Sequence, residues 1–216
     1  MSSDMALENR TLRLGPLDNG VFVITDPVSR ETAIVDVGFE PERVIELVRR
    51  ESLPVRWLLG THAHYDHVAG MLAVQQAVGG VYALHPLDRP LLETVSLQGS
   101  MFGFPSADVP KVGLELADGM KIELGDQLLD VLFVPGHAPG HVAFLHGKSL
   151  WSGDVLFRES VGRTDLPGGD SDVLVRSIHD RLFPLGDDVR VFTGHGPETT
   201  IGHERIHNPF VGAGAR

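Results

Sequence analysis

The sequence predicts two sheets packed face to face with helices on their outer sides, an α+β arrangement. Two observations carry this. Runs of strand followed by helix occur in the first half of the chain and again, more loosely, in the second. Four separate apolar runs each end in a glycine turn with a histidine or aspartate at or just past the tip, at His62, His137, Asp154 and His195. Periodicity alone fits α/β equally well, and the choice between them comes from the motifs below.

Length and composition bound the possibilities. A chain of 216 residues, 42% hydrophobic and 22% charged, can bury one substantial core, so a single domain is expected. With 0 cysteines, disulfides and a thiolate nucleophile are excluded, and any metal site must use nitrogen and oxygen donors. Asp4, Glu8, Arg10 and Arg13 interrupt the first residues, so no signal peptide is expected. No run of about 18 apolar residues exists to span a membrane, and a cytoplasmic location is the expectation. The formal charge of −11 argues against nucleic acid as a partner, because phosphate contacts need a basic face.

Taken in order, strands are expected over 21–26 and 32–37, flanking a turn at Pro27-Val28-Ser29-Arg30. Pro41 opens a helix to about Ser52, with Val44, Ile45 and Val48 along one face. A buried strand over 55–60 follows, then a helix over 68–78 that Gly79-Gly80 ends. A short strand covers 81–84, and 86–112 is irregular apart from a helix near 90–98. The second half has a hairpin over 120–124 and 127–134 about Gly125-Asp126, and another over 141–145 and 149–153. Ser171 or Asp172 caps a helix to Phe183, with Leu174, Ile178 and Leu182 at spacing four. A strand over 189–193 and a short helix over 199–207 complete the chain.

The segment Thr61-His62-Ala63-His64-Tyr65-Asp66-His67 puts three imidazoles and one carboxylate into six positions on a strand-to-helix loop. Taken singly, such residues are ordinarily a surface histidine or a helix N-cap. Four together, of the donor types that Zn²⁺, Fe²⁺ or Mn²⁺ accept, point to a metal. His62 and His64 lie two apart in an extended segment and so share a face, where they can hold one ion. Asp66 and His67 start the helix and point elsewhere, which suggests a second ion.

His-Ala-His-Tyr-Asp-His, followed by Gly136-His137, Gly153-Asp154 and Gly194-His195, resembles the metallo-β-lactamase superfamily. Gly162-Arg163-Thr164-Asp165-Leu166-Pro167-Gly168-Gly169-Asp170, Pro184 to Val189 and Gly202 to Phe210 resemble more narrowly its glyoxalase II group, the hydroxyacylglutathione hydrolases, in their short single-domain bacterial branch. The resemblance implies a four-layer αβ/βα sandwich over 12–216, with 1–11 as an N-terminal extension. It implies two divalent ions, Zn²⁺ first, with Fe²⁺ and Mn²⁺ open. His62, His64 and His137 would hold one, Asp66, His67 and His195 the other, and Asp154 with a water would bridge them. The implied activity is hydrolysis of a small thioester linked to glutathione, such as S-lactoylglutathione, with Asp66, His64 and Asp154 at the reacting centre. Persulfide dioxygenase chemistry on a single Fe²⁺ held by His62, His137 and Asp154 is the alternative. Lactonase or other ester hydrolysis is a third.

No counterpart is expected after His195 for the helical C-terminal domain that gives two-domain glyoxalase II its basic glutathione contacts. Arg163 is the residue expected to take a substrate carboxylate, because its fork matches one; an ion pair with Asp165 or Asp170 is the plain alternative. Tyr65, between ligands, either faces the substrate or packs over the site. Asp36 either orients a ligand histidine or ends a strand. His85, His146, His179 and His203 are expected at the surface, while His141 and His207 are open. Oligomeric state is not encoded legibly.

Overall fold

The computed structural model describes residues 6–215. Its first sheet is laid down in chain order. β1 (Glu8–Leu14), β2 (Asn19–Thr25) and β3 (Thr32–Val35) pair antiparallel. α1 (Pro41–Arg50) then leads into β4 (Val55–Leu59), parallel to β3. α2 (Tyr65–Val68) and α3 (Met71–Val78) cross to β5 (Val81–Leu84). A 3-10 turn at Pro86–Asp88, α4 (Arg89–Glu93) and α5 (Val95–Met101) cross to β6 (Val112–Glu115). The second sheet starts as an antiparallel meander of β7 (Lys121–Leu124), β8 (Gln127–Phe133), β9 (Val142–His146) and β10 (Ser149–Gly153). A small hairpin, β11 (Leu156–Phe157) with β12 (Ser160–Val161), and α6 (Ser171–Ser177) follow. β13 (Arg190–Thr193) returns parallel to β10, β14 (Thr199–Thr200) pairs with it, and α7 (Ile201–His207) ends the fold.

Strand periodicity makes this four layers. Along β2, Phe22 and Ile24 enter the core between the sheets, while Val21 and Val23 face the helices outside. Along β10 and β13, Trp151 and Phe192 point inward and Leu150 and Val191 outward against Leu174 and Ile178. Both sheets are thus buried on both faces, as expected of strands that read as continuous apolar runs. The expected two-sheet α+β sandwich is the observed fold.

Three local features differ from the expectation. Glu8 to Thr11 are not an extension but part of β1, whose Asn9 accepts from Trp151 Nε1 at 3.0 Å across the sandwich; of the remaining expected extension, Ala6 and Leu7 lead into β1 and 1–5 lie outside the described residues. β1 is an edge strand rich in polar residues, which is why alternation did not reveal it. The 68–78 helix is broken into α2 and α3 at Gly70, whose N–H turns to Val37 O at 3.0 Å. Further on, the expected 171–183 helix is capped by Asp170, which accepts from Val173 N at 3.0 Å, and after Ser177 widens into a π turn at Ile178–Leu182.

The consequence for the site is simple. β3, β4, β8, β10 and β13 all end at the same edge of the sandwich, so the turns that follow them bring their polar tips together.

Candidate metal centre

Two clusters of donor atoms meet at that edge. His62, His64 and His137 form one, and Asp66, His67 and His195 form the other, with the donor atoms in each within 4.8 Å of one another. His64 Nδ1 lies 2.9 Å from His137 Nε2, and His67 Nε2 lies 3.3 Å from His195 Nε2. Asp66 Oδ2 is 3.2 Å from His195 Nε2 and 3.6 Å from His67 Nε2. Asp154 stands between the clusters. Its Oδ1 is 3.4 Å from His67 Nε2, and its Oδ2 is 3.5 Å from His137 Nε2 and 3.2 Å from His195 Nε2.

Three of the five imidazoles are oriented through their other nitrogen by a carboxylate or a carbonyl. His67 Nδ1 donates to Asp36 Oδ2 at 2.9 Å, His137 Nδ1 to Arg163 O at 2.7 Å and His195 Nδ1 to Leu17 O at 2.9 Å. In the neutral ring, a proton fixed on the outward nitrogen leaves the inward one with a free lone pair, the form a cation binds. His62 Nε2 and Asp154 Oδ1 are buried with no hydrogen-bond partner. Orphaned buried polar atoms cost roughly 1–3 kcal/mol each, and a cation relieves that penalty. Five imidazoles and two carboxylates aimed inward, with unpartnered atoms among them, fit two divalent cations. Asp36, His62 and His67 are also close together, but the Asp36 oxygens are committed to Thr61 N at 2.8 Å, Thr61 Oγ1 at 2.7 Å and His67.

The loop 61–65 is held extended by side chains that carry no ligand. Asp88, fully buried, accepts from Ala63 N at 2.9 Å and from Gly140 N at 2.5 Å, tying the His62/His64 loop to the His137 loop. Gln98 accepts from Tyr65 N at 3.0 Å and donates to Ala63 O at 3.2 Å. His141 stacks on His62 with centroids 4.7 Å apart, and its Nε2 accepts from Asp154 N at 3.1 Å. Asn19 Nδ2 donates to Asp66 Oδ2 at 3.0 Å. Sequence reasoning missed Asp88, Gln98 and Asn19, because a buried acceptor in a polar loop carries no spacing signal. At Gly194 an added Cβ would lie 2.0 Å from Asp154 Oδ1, so only glycine lets the His195 turn approach.

Charge divides the centre in two. Burial, reinforced by neighbouring imidazoles, drives His62 well below the usual histidine range and His64 to about 3. Burial likewise lowers His137, against the pull of Asp154. For His67 and His195 burial works the same way but is outweighed by Asp154 and Asp66, which hold His67 well above its ordinary value and His195 at about 10. Both carboxylates are in turn held ionised by these rings against their own burial. Burial raises Asp88 to about 6.

A cavity of about 580 Å³ opens over the centre. Arg163 lines it, with its fork on Asp165 at 2.7 Å through both Nε and Nη2, the plain alternative raised above. Tyr65 also lines it, but its ring stacks on Phe104 at 5.4 Å and its hydroxyl donates to Pro105 O at 2.9 Å, so it packs over the site. Of the open histidines, His141 is buried in the centre, whereas His207 lies beside His203 on the exposed side of α7. Among the described residues no helix is long and apolar enough to cross a membrane.

Comparison with known proteins places this geometry. The metallo-beta-lactamase superfamily model matches residues 15–195. The hydroxyacylglutathione hydrolase GloC of Haemophilus influenzae is 38% identical over 187 residues, covering 84% of this chain and 88% of the relative. Among solved structures, the di-iron-bound form of TTHA1623 superposes with a TM-score of 0.85 at 39% identity, covering 93% of this chain and 99% of that one. The B3 metallo-beta-lactamase BLEG-1 gives a TM-score of 0.86 at 35% identity, with 94% and 99% covered. The matched span runs through every strand-end turn that carries a donor, from the loop after β4 to His195, and the chain belongs to the metallo-beta-lactamase superfamily.

Proposed function

We infer that this chain is a dinuclear metal-dependent thioester hydrolase acting on S-acylglutathione substrates, S-lactoylglutathione among them. The observation that carries the reading is Asp154 set between two complete trios, within 3.5 Å of a histidine nitrogen in each. In this reading His62, His64 and His137 would hold one ion and Asp66, His67 and His195 the other, with Asp154 placed to serve both. The likeness to a hydroxyacylglutathione hydrolase supports the substrate class, and the two irons of TTHA1623 support two ions. Either Zn²⁺ or Fe²⁺ suits an all-nitrogen-and-oxygen donor set.

Divalent ions at these donors would supply a water of lowered pKa and stabilise the oxyanion at the acyl carbon. The water oxygen forms the new C–O bond, the C–S bond breaks, and its electron pair leaves with sulfur. Asp66, with Oδ2 committed to Asn19 and His195, has Oδ1 with which to hold a water proton and return it to the leaving thiolate. Asn19 and Asp36 keep Asp66 and His67 in place throughout. Arg163 lies at the cavity wall with its fork on Asp165.

The test is hydrolysis of S-D-lactoylglutathione by protein loaded separately with Zn²⁺, Mn²⁺ and Fe²⁺. Turnover that vanishes in His64→Ala is expected; an unchanged rate in that variant would sink the assignment. Oxygen uptake with glutathione persulfide, absent hydrolysis, would move the reading to a mononuclear iron dioxygenase.

A further inference from the structure

The walls of the cavity differ sharply from its floor. Above the histidines and aspartates stand Leu17, Phe102, Phe104, Phe157, Val161 and Leu166. Polar groups on the walls are few, and most are engaged. The Tyr65 hydroxyl is spent on Pro105, the Gln98 amide on Ala63, Leu91 and Tyr65, and the Arg163 fork on Asp165. Ser160 completes the polar lining of the walls.

A glutathione moiety carries two carboxylates, an ammonium and two amides. These walls meet it with one guanidinium already paired and one hydroxyl, in a chain of net charge −11. An alkyl chain meets no such mismatch, because burying it requires no polar partner. The apolar lining also reaches the rim, where Leu17 is 46% and Phe102 54% exposed, so there is surface left for a ligand to cover. A volume of about 580 Å³ lies within the range of sites that engulf small ligands.

We propose that these walls form an acyl subsite, and that the preferred substrates are thioesters of extended apolar acyl groups, selected by the acyl chain rather than by the thiol carrier. This rests on the hydrolase reading above, in which glutathione then becomes one carrier among others and not the group selected. The floor reacts with the thioester carbonyl; the walls take the alkyl tail; the thiol points to solvent past Arg163.

The experiment uses the metal-loaded protein with acetyl, butanoyl, hexanoyl and D-lactoyl thioesters, each on glutathione and on the uncharged thiol N-acetylcysteamine. Burial of a methylene predicts a rise in kcat/KM of roughly fourfold for each one added, about 250-fold over the four that separate acetyl from hexanoyl. At a fixed acyl group the two thiols should agree within a few-fold. Phe102→Ser and Leu166→Ser should each flatten the series. A flat or falling series, or turnover confined to glutathione thioesters, would overturn the proposal and leave the hydrolase standing. Calorimetric binding of S-hexylglutathione and S-methylglutathione, which cannot be hydrolysed, separates the two ideas further. Tighter binding of the hexyl compound supports the subsite, and equal binding refutes it. No turnover of any thioester with a hexyl preference intact removes the hydrolase reading alone.

Discussion

Asp36 is the residue whose replacement says most about how the centre works. Its Oδ1 accepts from Thr61 N, and its Oδ2 accepts from both Thr61 Oγ1 and His67 Nδ1. Asp36→Asn keeps the first bond and puts an NH₂ where two donors point. The Thr61 hydroxyl can adapt by turning its own proton aside and accepting from the amide, while His62 Nδ1, 3.0 Å away, still donates to it and keeps its Nε2 lone pair free. His67 can adapt only by moving its proton from Nδ1 to Nε2, the nitrogen aimed at Asp66, Asp154 and His195. That proton occupies the lone pair a cation needs. Asp36 has φ of 51°, a conformation asparagine tolerates well, so the substitution tests the carboxylate and not the backbone. Loss of such an orienting partner weakens metal binding roughly 10- to 100-fold, which is about 1.4–2.8 kcal/mol. The loss should fall on the Asp66/His67/His195 trio, with the His62/His64/His137 trio changed little. Competition of Zn²⁺ against a chromophoric chelator resolves two binding steps. If both affinities stay within twofold of wild type, the tautomer argument fails.

Two further predictions concern the scaffold. Gly194→Ala places a methyl 2.0 Å from Asp154 Oδ1 and 3.0 Å from His67 Cε1, so the Asp154 carboxylate must move. The variant should retain its far-ultraviolet dichroism yet lose at least one bound metal equivalent by elemental analysis. Asp88 has a folded-state pKa of about 6, raised by burial above its unfolded value. Between those two values the folded state binds the extra proton, so this group's contribution to stability is largest at low pH and falls as pH rises toward 6. Two units correspond to about 3 kcal/mol. Stability of the metal-free protein measured against pH should carry that falling component, and Asp88→Asn should lack it.

Much of this was legible in the residues, and the reasons differ by element. The cluster 62–67 could be read because ligand residues have few other reasons to crowd onto one loop. The strands of the second sheet could be read because burial on both faces makes each a continuous apolar run, as at Leu150-Trp151 and Val191-Phe192. What escaped was whatever depends on contacts distant in sequence. Glu8 to Leu14 looks like a polar lead-in until Trp151, 142 positions beyond Asn9, is seen to donate to it. Asp88 is unremarkable in His85-Pro86-Leu87-Asp88 until two loops 77 residues apart, at Ala63 and Gly140, are found sharing its carboxylate. Tyr65, set between donors, suits either facing the substrate or packing over the site, and only Phe104 and Pro105 decide between them.

The division of charge at the centre has a measurable consequence for loading. In the metal-free protein the imidazoles of His62, His64 and His137 are neutral at pH 7, because burial lowers all three. His67 and His195 are protonated there, standing in for a cation beside Asp66 and Asp154. Sign follows from this. His195 has a folded pKa of about 10, above its ordinary value, so its ion pairs stabilise the metal-free fold fully below that ordinary value and are lost as pH climbs through 10. A metal entering this trio must displace both protons, whereas one entering the His62 trio displaces none. Affinity of the second trio should therefore rise steeply between pH 6 and 9, with about two protons released per ion, while the first trio stays nearly flat. Titration calorimetry in buffers of different ionisation enthalpy counts those protons step by step. Equal release at the two steps would mean that Asp66 and Asp154 do not hold their partners charged, and the electrostatic account of the centre would fall with it.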